Sequence, residues 1–183
     1  GEVVAESPGG CPPVKIDSKG WDIQPIRVSG SVSSQYLSGL MMAAPVALSG
    51  PTSDEIETVT IEVVGELVSR PYVEMTANVM RAFGATVEII DETSGGDVSA
   101  KVNVSGRGYR GTEYDIEPDA SAASYFWAAA AITGGSVTVQ GLAPDAIQGD
   151  VGFCRVLEQM GCTFSSDANG MTISGRATNG IDI

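Results

Sequence analysis

Arg27-Val28-Ser29-Gly30-Ser31-Val32-Ser33-Ser34-Gln35-Tyr36-Leu37-Ser38-Gly39-Leu40-Met41-Met42-Ala43-Ala44-Pro45 decides how the rest of the chain is read. A short apolar run, Ile26 to Val28, ends in small residues, and behind them lies a segment of helical composition with no charge between Val28 and Ser53. Strand, turn, buried helix is the reading. A helix facing water needs a polar stripe, and this one, from about Val32 to Val46, is polar only in its first turn or so, so its remainder is expected to be covered all round. Ser31, Ser33, Ser34 and Gln35 put four polar residues in five positions at that start. Unpaired N–H groups and the positive end of the helix dipole favour an anion there, and these side chains add donors. Each serine taken singly is explained by helix capping; four together exceed what a cap requires.

Outward from this stretch the chain has a regular order. Residues 1–25 are rich in turns, with a short strand expected at Val14 to Ile16 and a turn at Asp17 to Gly20. After the first helix come a loop from Ser49 to Glu57, strand Val59 to Val64, helix Pro71 to Phe83, strand Thr86 to Ile90, an acidic turn from Asp91 to Asp97 and strand Ala100 to Val104. Pro71 and Gly84 are start and stop signals for the second helix, whose apolar and polar residues segregate by face. The order then recurs as strand Glu113 to Glu117, an uncharged helix Ala120 to Thr133, strand Ser136 to Gln140, helix Asp150 to Met160, strand Cys162 to Ser165 and strand Met171 to Ser174. Val59-Thr60-Ile61 matches Val137-Thr138-Val139 at a separation of 78 residues, and Phe83-Gly84-Ala85-Thr86-Val87 matches Met160-Gly161-Cys162-Thr163-Phe164 at 77. This is an internal repeat of βαβαββ order, with buried helices inside and sheets outside. Two such units need a further layer to cover them, so an incomplete assembly is expected.

Composition excludes several chemistries. The chain has 183 residues, a net charge of −13 and no histidine, which rules out a histidine-based triad, histidine metal ligation and imidazole proton transfer. Acid–base work would fall to Asp, Glu, Lys or Tyr. The acidic balance argues against nucleic acid, and both halves share it: 16 acidic against 8 basic residues through Asp115, then 7 against 2. The longest apolar run in the central helix is too short to span a bilayer, and residues 1–7 lack the pattern of a signal peptide. The expected compartment is the cytoplasm or a plastid-like stroma. Cys11, Cys154 and Cys162 contain no CxxC pair and are expected to be buried thiols.

Four stretches, Gly30 to Tyr36, Ser69-Arg70-Pro71-Tyr72-Val73-Glu74-Met75-Thr76, Asp119-Ala120-Ser121-Ala122-Ala123-Ser124-Tyr125-Phe126 and Gln148-Gly149-Asp150, resemble the 5-enolpyruvylshikimate-3-phosphate synthase family. The likeness covers essentially the whole chain. It implies an α+β fold, an enolpyruvyl-transferase-like α/β prism in which six βαβαββ units form two lobes with the active site between them. The implied reaction moves the enolpyruvyl group of phosphoenolpyruvate to the 5-hydroxyl of shikimate 3-phosphate, with no metal and no cofactor.

By the same resemblance, Ser33 and Ser34 would bind the phosphate of shikimate 3-phosphate, Gln35 would reach toward its ring and the phosphoenolpyruvate, and Ser69 and Tyr72 would hold the phosphorylated shikimate. For Tyr72, packing under the helix start is an equal alternative. Arg70, where the family often has Lys, reads as a surface charge, Asp119 as an N-cap, and Glu74 and Asp150 as helix-start carboxylates. Pro118 and Ala122 depart from the family's usual Gly and Ser. No residue is assigned a catalytic role, because the family's cationic and catalytic acidic residues have no counterpart here. The chain therefore resembles an internal section, residues 1–115 from the first lobe and 116–183 from the second, inactive alone and completed by a complementary section. The alternatives are a section of a UDP-N-acetylglucosamine enolpyruvyl transferase and a non-catalytic acidic assembly module.

Overall fold

The computed structural model describes residues 2–17, 21, 24–49, 57–93 and 96–182. Most of the loop expected from Ser49 to Glu57, and parts of the turns expected at Asp17 to Gly20 and Asp91 to Asp97, lie outside them. The chain divides into two compact units, residues 1–112 and 113–183.

The first unit begins with a hairpin whose second strand was expected at Val14 to Ile16 and whose first strand was not. Strand β1 (Glu2–Ala5) pairs antiparallel with β2 (Val14–Asp17). Its residues are nearly all exposed, so no buried alternation announces it. The larger sheet is built from β3 (Ile26–Ser29), β4 (Thr58–Val64), β5 (Thr86–Asp91) and β6 (Val98–Ser105), in the spatial order β3-β4-β6-β5. β3 runs parallel to β4, and the other pairs are antiparallel. Helices α1 (Ser34–Ala47) and α2 (Arg70–Ala82) cover one face of this sheet. Leu37, Met41, Ala44, Val73, Ala77 and Met80 meet Val59, Ile61, Val63, Val87, Val102 and Val104 in one apolar core. Alternate strand residues face water and carry the charge, as in the ion pairs of Arg27 with Glu62 and Lys101 with Glu92.

The second unit repeats the plan. Helix α3 (Ala120–Thr133) is followed by β7 (Ser136–Gln140), a 3₁₀ turn (Gly149–Gly152), α4 (Phe153–Gln159), β8 (Thr163–Asp167) and β9 (Gly170–Ser174). The order β7-β9-β8 reproduces β4-β6-β5, with the last strand in the middle each time. The repeat reaches to side chains: Thr60 donates to Asn103 Oδ1 across β4 and β6 at 3.0 Å, and Thr138 and Thr172 share a hydrogen bond across β7 and β9 at 2.7 Å.

Three expectations are corrected. No strand forms at Glu113 to Glu117. Glu113, Asp115, Glu117 and Asp119 would line one face of a strand there with like charges, and Ile116 opposite is 87% exposed, so a ladder would bury nothing. The helix expected from Asp150 starts as the 3₁₀ turn and becomes α-helical only at Phe153. The uncharged helices are also not covered all round, because each packs its sheet on one side only. Tyr36, Met42 and Val46 of α1, and Tyr125, Phe126 and Ile132 of α3, are each more than half exposed.

The cysteines divide as well. Cys154 and Cys162 are buried in the second unit's core, whereas Cys11 is exposed near the β1–β2 hairpin, against expectation. Burial pushes the Cys154 thiol up to about 12, so little thiolate exists near neutrality. A water-soluble aromatic disulfide at pH 8 is expected to label one thiol per native chain and all three after denaturation. Labelling of two or more native thiols would contradict this burial.

Candidate functional site

The start of α1 is organised by Gly30. Its N–H donates to the Val64 carbonyl at 2.9 Å, and its own carbonyl accepts from the Val68 N–H at 3.2 Å. A Cβ at this position would lie 2.6 Å from Val63 Cγ1 and 2.7 Å from the Glu66 carbonyl oxygen, a space only glycine can fill. The turn after β4 therefore sits directly on the turn after β3. The chain leaving the first enters α1, and the chain leaving the second enters α2.

Ser33 caps α1, its hydroxyl oxygen accepting from the Gln35 N–H at 3.2 Å. Ser34, in the first turn, is only 9% exposed. Ser69 precedes α2 with φ 57° and ψ 40° and is the one non-glycine residue of positive φ among the described residues. That conformation costs roughly 1–3 kcal/mol and gathers where a backbone is held for function. Its hydroxyl makes no capping bond to α2.

These two helix starts converge on one cleft of about 530 Å³, lined at its polar end by Ser33, Ser34, Gln35, Ser38, Ser69, Tyr72 and Thr76. All five residues assigned from the sequence, Ser33, Ser34, Gln35, Ser69 and Tyr72, border it. Met42, Met75, Val79 and Met80 line the remainder. A second, apolar hollow of about 270 Å³ continues past Met42 to Phe83 and Tyr109. Tyr109 donates its phenol to the Met42 carbonyl at 2.8 Å, and burial raises its pKa. Tyr72 is 49% exposed at the cleft edge, so it is not packed beneath the helix start. Ser31 is not among the lining residues and shares a hydrogen bond with Ser29 at 3.1 Å.

Ser38 and Thr76 were missed by reading the sequence, although a helical period gives the signal. Ser38 is one turn beyond Ser34, and Thr76 is one turn beyond Tyr72.

The polarity of the cleft comes from neutral donors and two helix dipoles. No lysine or arginine is among its lining residues. Arg70, beside it in sequence, pairs with Asp91 and with Glu74 at 3.3 Å; the Asp91 hydrogen bond is the main cause of its raised pKa. These partners offset a cation placed at the unfavourable end of α2. Glu74 is thus an ion-pair partner, not the first-turn carboxylate expected. Asp119 caps α3 through Ala122 N–H at 3.0 Å, and Asp150 accepts from the Ser121 hydroxyl. Among the described residues no three His, Cys, Asp or Glu side chains gather where they could hold a metal ion, and no helix is long and apolar enough to cross a membrane.

The family model described as EPSP synthase (3-phosphoshikimate 1-carboxyvinyltransferase) matches residues 1–183. The 3-phosphoshikimate 1-carboxyvinyltransferase 1, chloroplastic, of Nicotiana tabacum is 44% identical over 175 residues, covering 92% of this chain and 30% of that protein. The 3-phosphoshikimate 1-carboxyvinyltransferase of Sulfurovum sp. (strain NBC37-1) is 39% identical over 175 residues, covering 95% of this chain and 38% of the relative. The solved EPSP synthase from Acinetobacter baumannii shares the fold, with a TM-score of 0.56 at 21% identity over 94% of this chain and 36% of that one. The chain thus spans about a third of the length of these relatives. With one family model matched from end to end and relatives of this similarity in both a plant and a bacterium, the chain belongs to the EPSP synthase family.

Proposed function

We propose that this chain is a section of an enolpyruvyl transferase that moves the enolpyruvyl group of phosphoenolpyruvate to the 5-hydroxyl of shikimate 3-phosphate, and that it supplies part of the shikimate 3-phosphate site. Residues 1–115 contribute to one lobe and 116–183 to the other. The single observation that carries this reading is the cleft at which the starts of α1 and α2 meet with Ser33, Ser34, Gln35, Ser69 and Tyr72 on its walls.

A phosphate dianion there accepts hydrogen bonds from the Ser34 and Ser69 hydroxyls and from backbone N–H groups at the start of α1; α2 adds little backbone, because Pro71 has no N–H and the Tyr72 N–H donates to the Ser69 carbonyl at 3.0 Å. Ser33 also offers a hydroxyl proton, since its cap uses only the oxygen as acceptor. Gln35 directs its carboxamide toward the ring, and Tyr72 closes the edge. Neutral donors alone leave the dianion's charge uncompensated. The cations that complete the site belong to a complementary section of the enzyme, and the chain by itself binds weakly and does not turn over.

Titration of shikimate 3-phosphate into the labelled chain is expected to shift the amides of Ser33, Ser34, Gln35 and Ser69. Shikimate at the same concentration shifts them little, because the phosphate is what the helix starts hold. Ser34→Ala is expected to weaken the effect about tenfold or more, the value of a hydrogen bond to a charged group. Shifts confined to other residues, or an equal response to UDP-N-acetylglucosamine, would overturn the assignment.

A further inference from the structure

Ser38 and Thr76 stand one helical turn behind the cleft's mouth, on facing sides of α1 and α2. Their hydroxyl oxygens are 2.9 Å apart. Thr76 Oγ1 also lies 2.8 Å from the Tyr72 carbonyl oxygen, to which it donates its proton. That bond leaves Thr76 only acceptor capacity, so the Ser38 O–H donates to Thr76 Oγ1. A serine inside a helix ordinarily turns back to the carbonyl one turn earlier. Ser38 instead crosses to the neighbouring helix, and both members of the pair are partly buried.

We propose that Ser38 and Thr76 are positioning residues for the shikimate 3-phosphate site, fixing the register of α1 against α2 so that the two helix starts address one phosphate together. The proposal rests on the cleft being that site. The relay runs Ser38 to Thr76 to the Tyr72 carbonyl, and Tyr72 belongs to the first turn of α2, where its own N–H donates to the Ser69 carbonyl at 3.0 Å and so ties the relay to Ser69 at the cleft. The apolar residues that the two helices give to the cleft, Met42, Met75, Val79 and Met80, are mostly methionines, whose side chains are adaptable. Methionine packing tolerates a slide along the axis, whereas a directional hydroxyl bond does not. The pair therefore sets the spacing between Ser33 and Ser34 on one side and Ser69 on the other.

The test compares Ser38→Ala, Thr76→Val and Thr76→Ser with the unmodified chain, following amide shifts during shikimate 3-phosphate titration and the urea midpoint of each variant. Thr76→Val keeps the shape and removes the relay; Thr76→Ser keeps the relay and removes a methyl group. Ser38→Ala and Thr76→Val are expected to weaken binding about five- to tenfold, and the double variant no further than Thr76→Val, because the bonds act in series. Thr76→Ser is expected to bind within about twofold of the unmodified chain. In the ligand-free variants that lose the relay, the Ser69 and Tyr72 amides shift while the urea midpoint stays close to its starting value. If the unmodified chain binds and Ser38→Ala and Thr76→Val bind equally well, the positioning role fails alone. If Thr76→Ser is as weak as Thr76→Val, the methyl packing matters and the relay does not. If the unmodified chain shows no shifts in the cleft, the reading of the site falls and this role with it.

Discussion

Trp127→Ala is expected to unfold residues 113–183 while residues 1–112 stay folded. Trp127 is fully buried, and its indole N–H donates to the Met171 carbonyl at 3.3 Å, joining α3 to the central strand β9. The other buried residues of α3 are Ala120, Ala123, Ala130 and Ala131, too small to move into the space left behind. Truncating a buried Trp costs about 3–5 kcal/mol when the surroundings cannot collapse. A unit this small has a total stability of the same order, at about 0.05–0.15 kcal/mol per residue. The chain's two tryptophans, Trp21 and Trp127, fall one in each unit. In the variant, Trp21 fluorescence reports the first unit during urea unfolding, while the amide dispersion of Ala131 and Ile173 reports the second. Native dispersion at those two residues in the variant would refute the expectation. Trp127→Phe, which refills most of the volume, should restore the fold of the second unit.

Gly30→Ala is expected to damage the first unit and its cleft together. The added methyl meets Val63 Cγ1 at 2.6 Å and the Glu66 carbonyl at 2.7 Å, and the second of these is backbone that cannot rotate away. Overpacking of this kind costs about 1–3 kcal/mol, and relief requires the turn at residues 65–68 to withdraw from the turn at Gly30. Since α1 and α2 begin from those two turns, the shikimate 3-phosphate response at Ser33 to Gln35 should disappear with the lost stability. Gly39→Ala is the contrasting case. Gly39 lies in α1 with open space around its Cα, so a methyl there removes backbone freedom from the unfolded chain and adds no clash. It is expected to stabilise the unit by roughly 0.5–1 kcal/mol. Urea midpoints moving in the same direction for both glycines would refute the steric account.

The sequence revealed what depends on neighbours within a few residues. The bounds of α3 could be read because Asp119 supplies a side-chain cap and Gly134 takes φ 79°, local devices that work without the rest of the molecule. Strands β4 and β7 alternate apolar and polar residues, and their repeat persists down to matching polar pairs across the sheet. Strand β1, and with it the β1–β2 pairing, escaped notice because a strand with nothing to bury leaves no alternation. At Glu113 to Glu117 the order of the repeat suggested a strand, and the run of like charges prevailed. Cys11 was misread because composition cannot tell which thiol the core reaches.

What the sequence by itself determined was therefore most of the helices and sheet strands, their twofold recurrence and the clustering of donors at two helix starts, since propensity, capping and hydrophobic period are properties of adjacent residues. Only the tertiary structure decided that the two helix starts share one cleft, that Ser38 bonds to Thr76 across 38 positions of chain, and that one flank of each uncharged helix stays open. The physical reason is contact between segments far apart in sequence: the cleft exists because the glycine after β3 admits the turn after β4 at a distance no side chain would permit.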